Sequence, residues 1–74
     1  MGMEISIIIP YVKDRGYLSE AVESAREAIK FAEVEGEVIL SQSDKGVSYN
    51  LNRGIERAKG EFITYLCDDD LLPP

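Results

Sequence analysis

The sequence predicts an α/β fold, a three-layer βαβαβ unit whose parallel sheet runs in the order 2-1-3. Three observations predict it. Residues 4–10, EISIIIP, are apolar almost without a break, as in a strand covered on both faces. Two stretches of helical periodicity follow, each closed by polar or glycine-containing turns. A short β-type run comes after each of them, EVIL at 37–40 and EFITYL at 61–66.

Each element has its own local cause. Pro10 is expected to stop the first strand, because it cannot donate to a ladder. YVKDRG is then a polar loop. Leu18, Ala21, Val22, Ala25, Ala28, Ile29 and Ala32 recur at spacings of three and four, which gives an amphipathic helix. Gly36 stands where its C-terminus would take a left-handed residue. After the second strand, SQSDKG reads as a turn. Ser48 is a candidate cap for the second helix, whose inner face would hold Leu51, Gly54, Ile55 and Ala58, with Gly60 at its end. The first strand is the most uniformly apolar and so belongs in the middle. With right-handed crossovers, the helices then fall on opposite faces. The gap between strands 1 and 3 becomes a topological switch point, where open α/β sheets bind ligands beside the carboxyl ends of their strands.

Composition removes several function classes. Seventy-four residues make one domain with modest burial. Asp and Glu number 14 against 8 Lys and Arg, with no basic stripe, which argues against nucleic acid as a partner. No apolar run approaches the roughly 20 residues of a membrane span, and the opening MGMEIS is not a signal peptide. The single cysteine, Cys67, cannot form a disulfide within the chain and suits a reducing cytosol, so a cytoplasmic location is expected. The absence of histidine excludes His-based zinc sites and histidine general bases. Neither GxxxxGK[ST] nor GxGxxG occurs, so no phosphate loop of those kinds is available.

The densest charge, Asp68-Asp69-Asp70, follows the third strand directly. Adjacent carboxylates repel unless a cation compensates, and such oxygens suit Mg²⁺ or Mn²⁺. A solvated acidic turn is the plainer reading. Tyr11, after the first strand, could stack on a base or simply pack. Asp44 in SDKG could meet a ribose or merely shape a turn. Arg53 could meet a phosphate or pair with Glu56.

These segments together resemble the N-terminal, nucleotide-sugar-binding part of a family 2 glycosyltransferase of the Rossmann-like GT-A fold. The residues that carry the resemblance are ISIIIPY, YLSEAVES, EVIL and, most specifically, NRGIERAKGEFITYLCDDDLLPP. The resemblance implies a base pocket lined by Pro10 and Tyr11, and a helix signature at Asn52, Arg53 and Gly54 that supports the site. It also implies an Asp-x-Asp-like region at Asp68, Asp69 and Asp70 for ribose and a metal–diphosphate. The nucleotide-sugar-binding set is then Pro10, Tyr11, Asp44, Arg53 and Asp68, and the metal set is Asp68, Asp69 and Asp70, holding Mg²⁺ or Mn²⁺.

The chain departs from the family pattern at LSQSDKG, which lacks the usual paired aspartates. It departs again where about a dozen residues replace an inserted helix and strand, and at Cys67, which stands where the motif's first Asp is usual. The family's acceptor site and catalytic carboxylate lie beyond Asp-x-Asp. The expectation is therefore a single truncated subdomain, residues 1–74, that binds a nucleoside diphosphate sugar without catalytic residues of its own. Its parent would transfer the sugar to an acceptor hydroxyl. The alternative is a non-catalytic α/β module that binds a divalent ion or nucleotide weakly, or nothing. The uncharged third strand further suggests a homodimer through an exposed sheet edge.

Overall fold

The structure is a computed structural model that describes residues 3–14 and 16–66. The order is β1 (Ile5–Tyr11), α1 (Leu18–Ala32), β2 (Gly36–Gln42), α2 (Val47–Arg57) and β3 (Phe62–Tyr65). The sheet is parallel throughout, in the order β2-β1-β3. The expected fold class and strand order are therefore what the chain adopts.

The two faces of β1 divide the work. Ile7 and Ile9 pack with Ala21 and Ala25 of α1 and with Leu66, flanked by Ile5, Leu18, Val22, Ile29 and Val38. Ser6, Ile8 and Pro10 point the other way, toward α2, and all three are buried. On that face Gly54 lies so close to Ile8 that a Cβ there would collide with its side chain. The helices thus lie on opposite faces, and both cover the β1–β2 half of the sheet. Neither shields β3. Phe62, Ile63 and Tyr65 are all exposed, Phe62 at 73%, so the third strand is an open edge on both sides.

Pro10 lies inside β1 rather than ending it, paired in register with Ser41. The ladder explains why. Phe62 donates to the Glu4 carbonyl and Leu66 to the Ile8 carbonyl, so the even-numbered residues of β1 face β3. The missing N–H of Pro10 falls on that side, beyond the end of β3 at Tyr65, where a lost ladder bond costs least.

Four local expectations are corrected. The left-handed cap of α1 is Glu33 (φ 57°), whose N–H donates to the Lys30 carbonyl, while Gly36 opens β2. The second helix starts after Gly46, whose φ of 109° suits glycine, so Ser48 lies in the first turn and caps nothing. Its buried residues are Asn50 and Gly54, whereas Ile55 is exposed and Leu51 and Ala58 are half-buried. The helix ends at Arg57, before Gly60.

Ser6 ties the amino ends of all three strands together. Its hydroxyl donates to Glu37 Oε2 (2.6 Å) and accepts from the Gly60 N–H (2.8 Å), while Glu37 also accepts from the Lys59 N–H (2.8 Å). The Ser6 bond first, then the Lys59 N–H, holds the Glu37 carboxyl below its ordinary value of 4.5; partial burial opposes them and the Lys59 ammonium adds to them.

Two outcomes follow. Gly54→Ala should destabilise the chain by about 1–3 kcal/mol through overpacking against Ile8. That exceeds the roughly 1 kcal/mol that alanine offers a helix interior. Urea midpoints at constant m-value measure the balance. Because the folded Glu37 pKa is depressed, its contribution is full above the ordinary carboxylate value and is lost as pH falls through the folded value. Urea midpoints between about pH 3 and about pH 6 should therefore fall less steeply on acidification for Glu37→Gln than for the parent.

Candidate functional site

The carboxyl ends of β1 and β2 are held in one place by a buried amide. Asn50, in the first turn of α2, is 1% exposed. Its Nδ2 donates to the Tyr11 carbonyl (2.8 Å) and to the Ser43 carbonyl (3.1 Å), and its Oδ1 accepts from the Ser43 hydroxyl. The Ser43 oxygen in turn accepts from the Lys45 N–H (3.2 Å), which shapes the β2–α2 loop. Gln42 Nε2 donates to the Val12 carbonyl (2.8 Å), a second tie between the same two strand ends. An amide suits this position because it donates twice and accepts in one plane. A leucine there would leave those carbonyls without a partner.

This clamp sets the positions of the residues singled out from the sequence. Pro10 is buried on the α2 face of β1. Tyr11 follows it, half-buried, at the carboxyl end. Asp44 is exposed at the tip of the loop that Ser43 anchors. Beside it, Lys45 Nζ stands 4.9 Å from the centre of the Tyr49 ring. Pro10, Tyr11 and Asp44 thus belong to strand ends or loops that Asn50 draws together.

Arg53 lies three residues beyond Asn50 on α2. It is exposed on the flank of α2 toward β2, 3.9 Å from Glu56, which is the plainer of its two sequence readings. It lines a cleft of about 240 Å³ together with Ser41, Gln42, Ser43, Tyr49, Asn50 and Arg57. Arg57 Nη1 donates to the Leu40 carbonyl (3.3 Å). That carbonyl points away from β1, because Ile5 bonds to Glu35 and alternate β2 residues face outward. The cleft therefore sits at the outer edge of β2. A larger hollow of about 590 Å³ runs along α1 over Leu18, Val22 and Leu40, on the opposite face.

Asp68, Asp69 and Asp70, the expected metal ligands, lie outside the described residues. Among the described residues no group of three Cys, Asp or Glu side chains is placed to hold a metal ion. No helix among them is long and apolar enough to cross a membrane.

Sequence reasoning missed the role of Asn50. The available signal was position: an amide four residues before Gly54 shares its inward side.

The chain is similar to an uncharacterized glycosyltransferase of Rickettsia typhi, at 33% identity over 90 residues. The likeness is to a glycosyltransferase. It takes in 95% of this chain, which spans 28% of the relative. The matched stretch is longer than the chain itself, so the alignment includes gaps opposite the relative. No protein-family model matches the chain, and no solved structure does.

Replacing Asn50 with alanine should cost about 1–3 kcal/mol, because it strips partners from the Tyr11 and Ser43 carbonyls. Urea denaturation gives the size. Amide resonances of residues 11–13 and 43–45 should shift together, whereas those of Ser6 and Gly60 should hold.

Proposed function

We propose that the chain is the donor-binding part of a glycosyltransferase that moves a sugar from a nucleoside diphosphate sugar to an acceptor hydroxyl. The observation that carries this reading is the Asn50 clamp, which fixes the carboxyl ends of β1 and β2 beside the switch point of a 2-1-3 parallel sheet. The likeness to a glycosyltransferase supports it over other nucleotide-binding α/β functions.

In this reading residues 1–74 form one GT-A-like, nucleotide-sugar-binding subdomain of the family 2 type. Pro10 gives the floor of the base pocket its shape, and Tyr11 offers its ring for stacking. The Asp44 carboxylate, held out on the Ser43-anchored loop, accepts from a ribose hydroxyl, and Asp68 is a further proposed contact to the nucleotide sugar. Arg53 adds positive potential from α2. Asp68, Asp69 and Asp70 are the proposed ligands of Mg²⁺ or Mn²⁺. When bound, such an ion offsets the charge of a leaving diphosphate. The chain holds no histidine, and none of its residues is assigned as a general base toward an acceptor.

The test is calorimetric titration of the chain with nucleoside diphosphates and their sugars, with and without Mn²⁺. Saturable binding should require Mn²⁺ and be lost in the triple Asp→Asn variant of Asp68, Asp69 and Asp70, with the circular dichroism unchanged. No sugar should be transferred to any acceptor by residues 1–74 alone. Heat that never saturates for any nucleotide would leave the non-catalytic module as the better description.

A further inference from the structure

We infer that the cleft at the outer edge of β2 is a binding site for a phosphoryl group, built from Ser41, Arg53 and Arg57. Two arginines four residues apart project from the same flank of α2 over the end of the strand. The chain has 14 carboxylates against 8 cationic side chains, yet among the described residues no carboxylate lines this cleft. Glu56, itself exposed, stands 3.9 Å from Arg53.

Ser41 is the second observation. It is 3% exposed, and its hydroxyl forms no side-chain hydrogen bond among the described residues. No fully enclosed polar side-chain atom among them lacks a partner, so this hydroxyl opens onto the cleft that its residue lines. A nearly buried donor that opens onto a cleft lined also by two arginines is costly without a ligand and favourable with an anion. Ser43, by contrast, is committed to Asn50.

Size and geometry select the anion. At about 240 Å³ the cleft is smaller than the roughly 300–1,000 Å³ pockets that enclose drug-sized ligands, and it suits a single phosphoryl group. The donors come from a helix above and a strand below. That spread meets a tetrahedral oxyanion better than a planar carboxylate, and arginine forks suit phosphate. Arg57 already bonds to the Leu40 carbonyl through Nη1, which steadies it and leaves its other N–H groups for a ligand. The group is either free phosphate or the phosphoryl end of a small monoester. Arg53 is shared with the donor reading, but Ser41 and Arg57 have no part in it, so the inference does not rest on glycosyl transfer.

The experiment is an NMR titration of the ¹⁵N-labelled chain, without divalent metal and at constant ionic strength. Inorganic phosphate, glycerol phosphate and acetate are added separately. Either phosphate should give saturable shifts centred on Ser41, Gln42, Tyr49, Arg53 and Arg57, and acetate should not. Arg57→Gln and Ser41→Ala should each weaken the binding, by about tenfold for the arginine. Lys30→Gln, on the opposite face, should leave it unchanged. An equal response to acetate, shifts spread over all cationic residues, or unaltered binding in Arg57→Gln with native circular dichroism would each overturn the proposal. The outcome is independent of the metal-dependent nucleotide titration, so either reading can fail alone.

Discussion

The Asn50 side chain is the constraint on which the functional end of this molecule depends. One amide joins the end of β1, the end of β2 and the start of α2. Without it, the loop that carries Asp44 would be tied only by Gln42 and by its own turn. The clamp also fixes where α2 sits along β1. One turn later Gly54 meets Ile8 with no room for a methyl group, so the amide and the glycine set the same approach from two points. At the other end of the sheet, Ser6 and Glu37 do the corresponding work for the backbone that leads into β3. A chain of this size gains little from apolar burial alone. Two polar ties, one at each end of β1, give the sheet its register where the core is thin.

Much of the fold was legible in the residues. The isoleucine run at 5–9 could only be a strand covered on both faces, and that placed it in the centre. The three-and-four spacing of α1 was equally direct. What the patterns missed were places where a polar group or the backbone decides. Asn50 turns inward although an amide in a helix usually faces water, because two strand-end carbonyls need donors there. Pro10 continues β1 because its neighbour on that side has already ended. Glu33, not a glycine, takes the left-handed cap of α1.

The site was legible only in part. Tyr11 and Asp44 were singled out from their places after strands, and the fold puts them at the ends that Asn50 joins. Arg53 lines a cleft that adjoins the clamp residues Gln42, Ser43 and Asn50, on the flank of α2 toward the outer edge of β2. A helix residue's neighbours across a sheet follow from the helix's rotation, which spacing alone gives only roughly. Of the outer cleft the sequence offered only Arg53, as a candidate phosphate contact. The cleft arises because Ser41, on one element, and Arg53 and Arg57, on another, meet only once α2 has crossed the strand end.

The central claim is that the clamped ends of β1 and β2 are the surface that receives the nucleotide. Hydrogen–deuterium exchange with and without a nucleoside diphosphate and Mn²⁺ tests it most directly. Added protection should appear at residues 11–13 and 43–46 together, and it should fade when Asn50 is replaced by alanine. Protection confined to the α1 face along Leu18, Val22 and Leu40, with both clamped ends exchanging as in the free chain, would contradict the account.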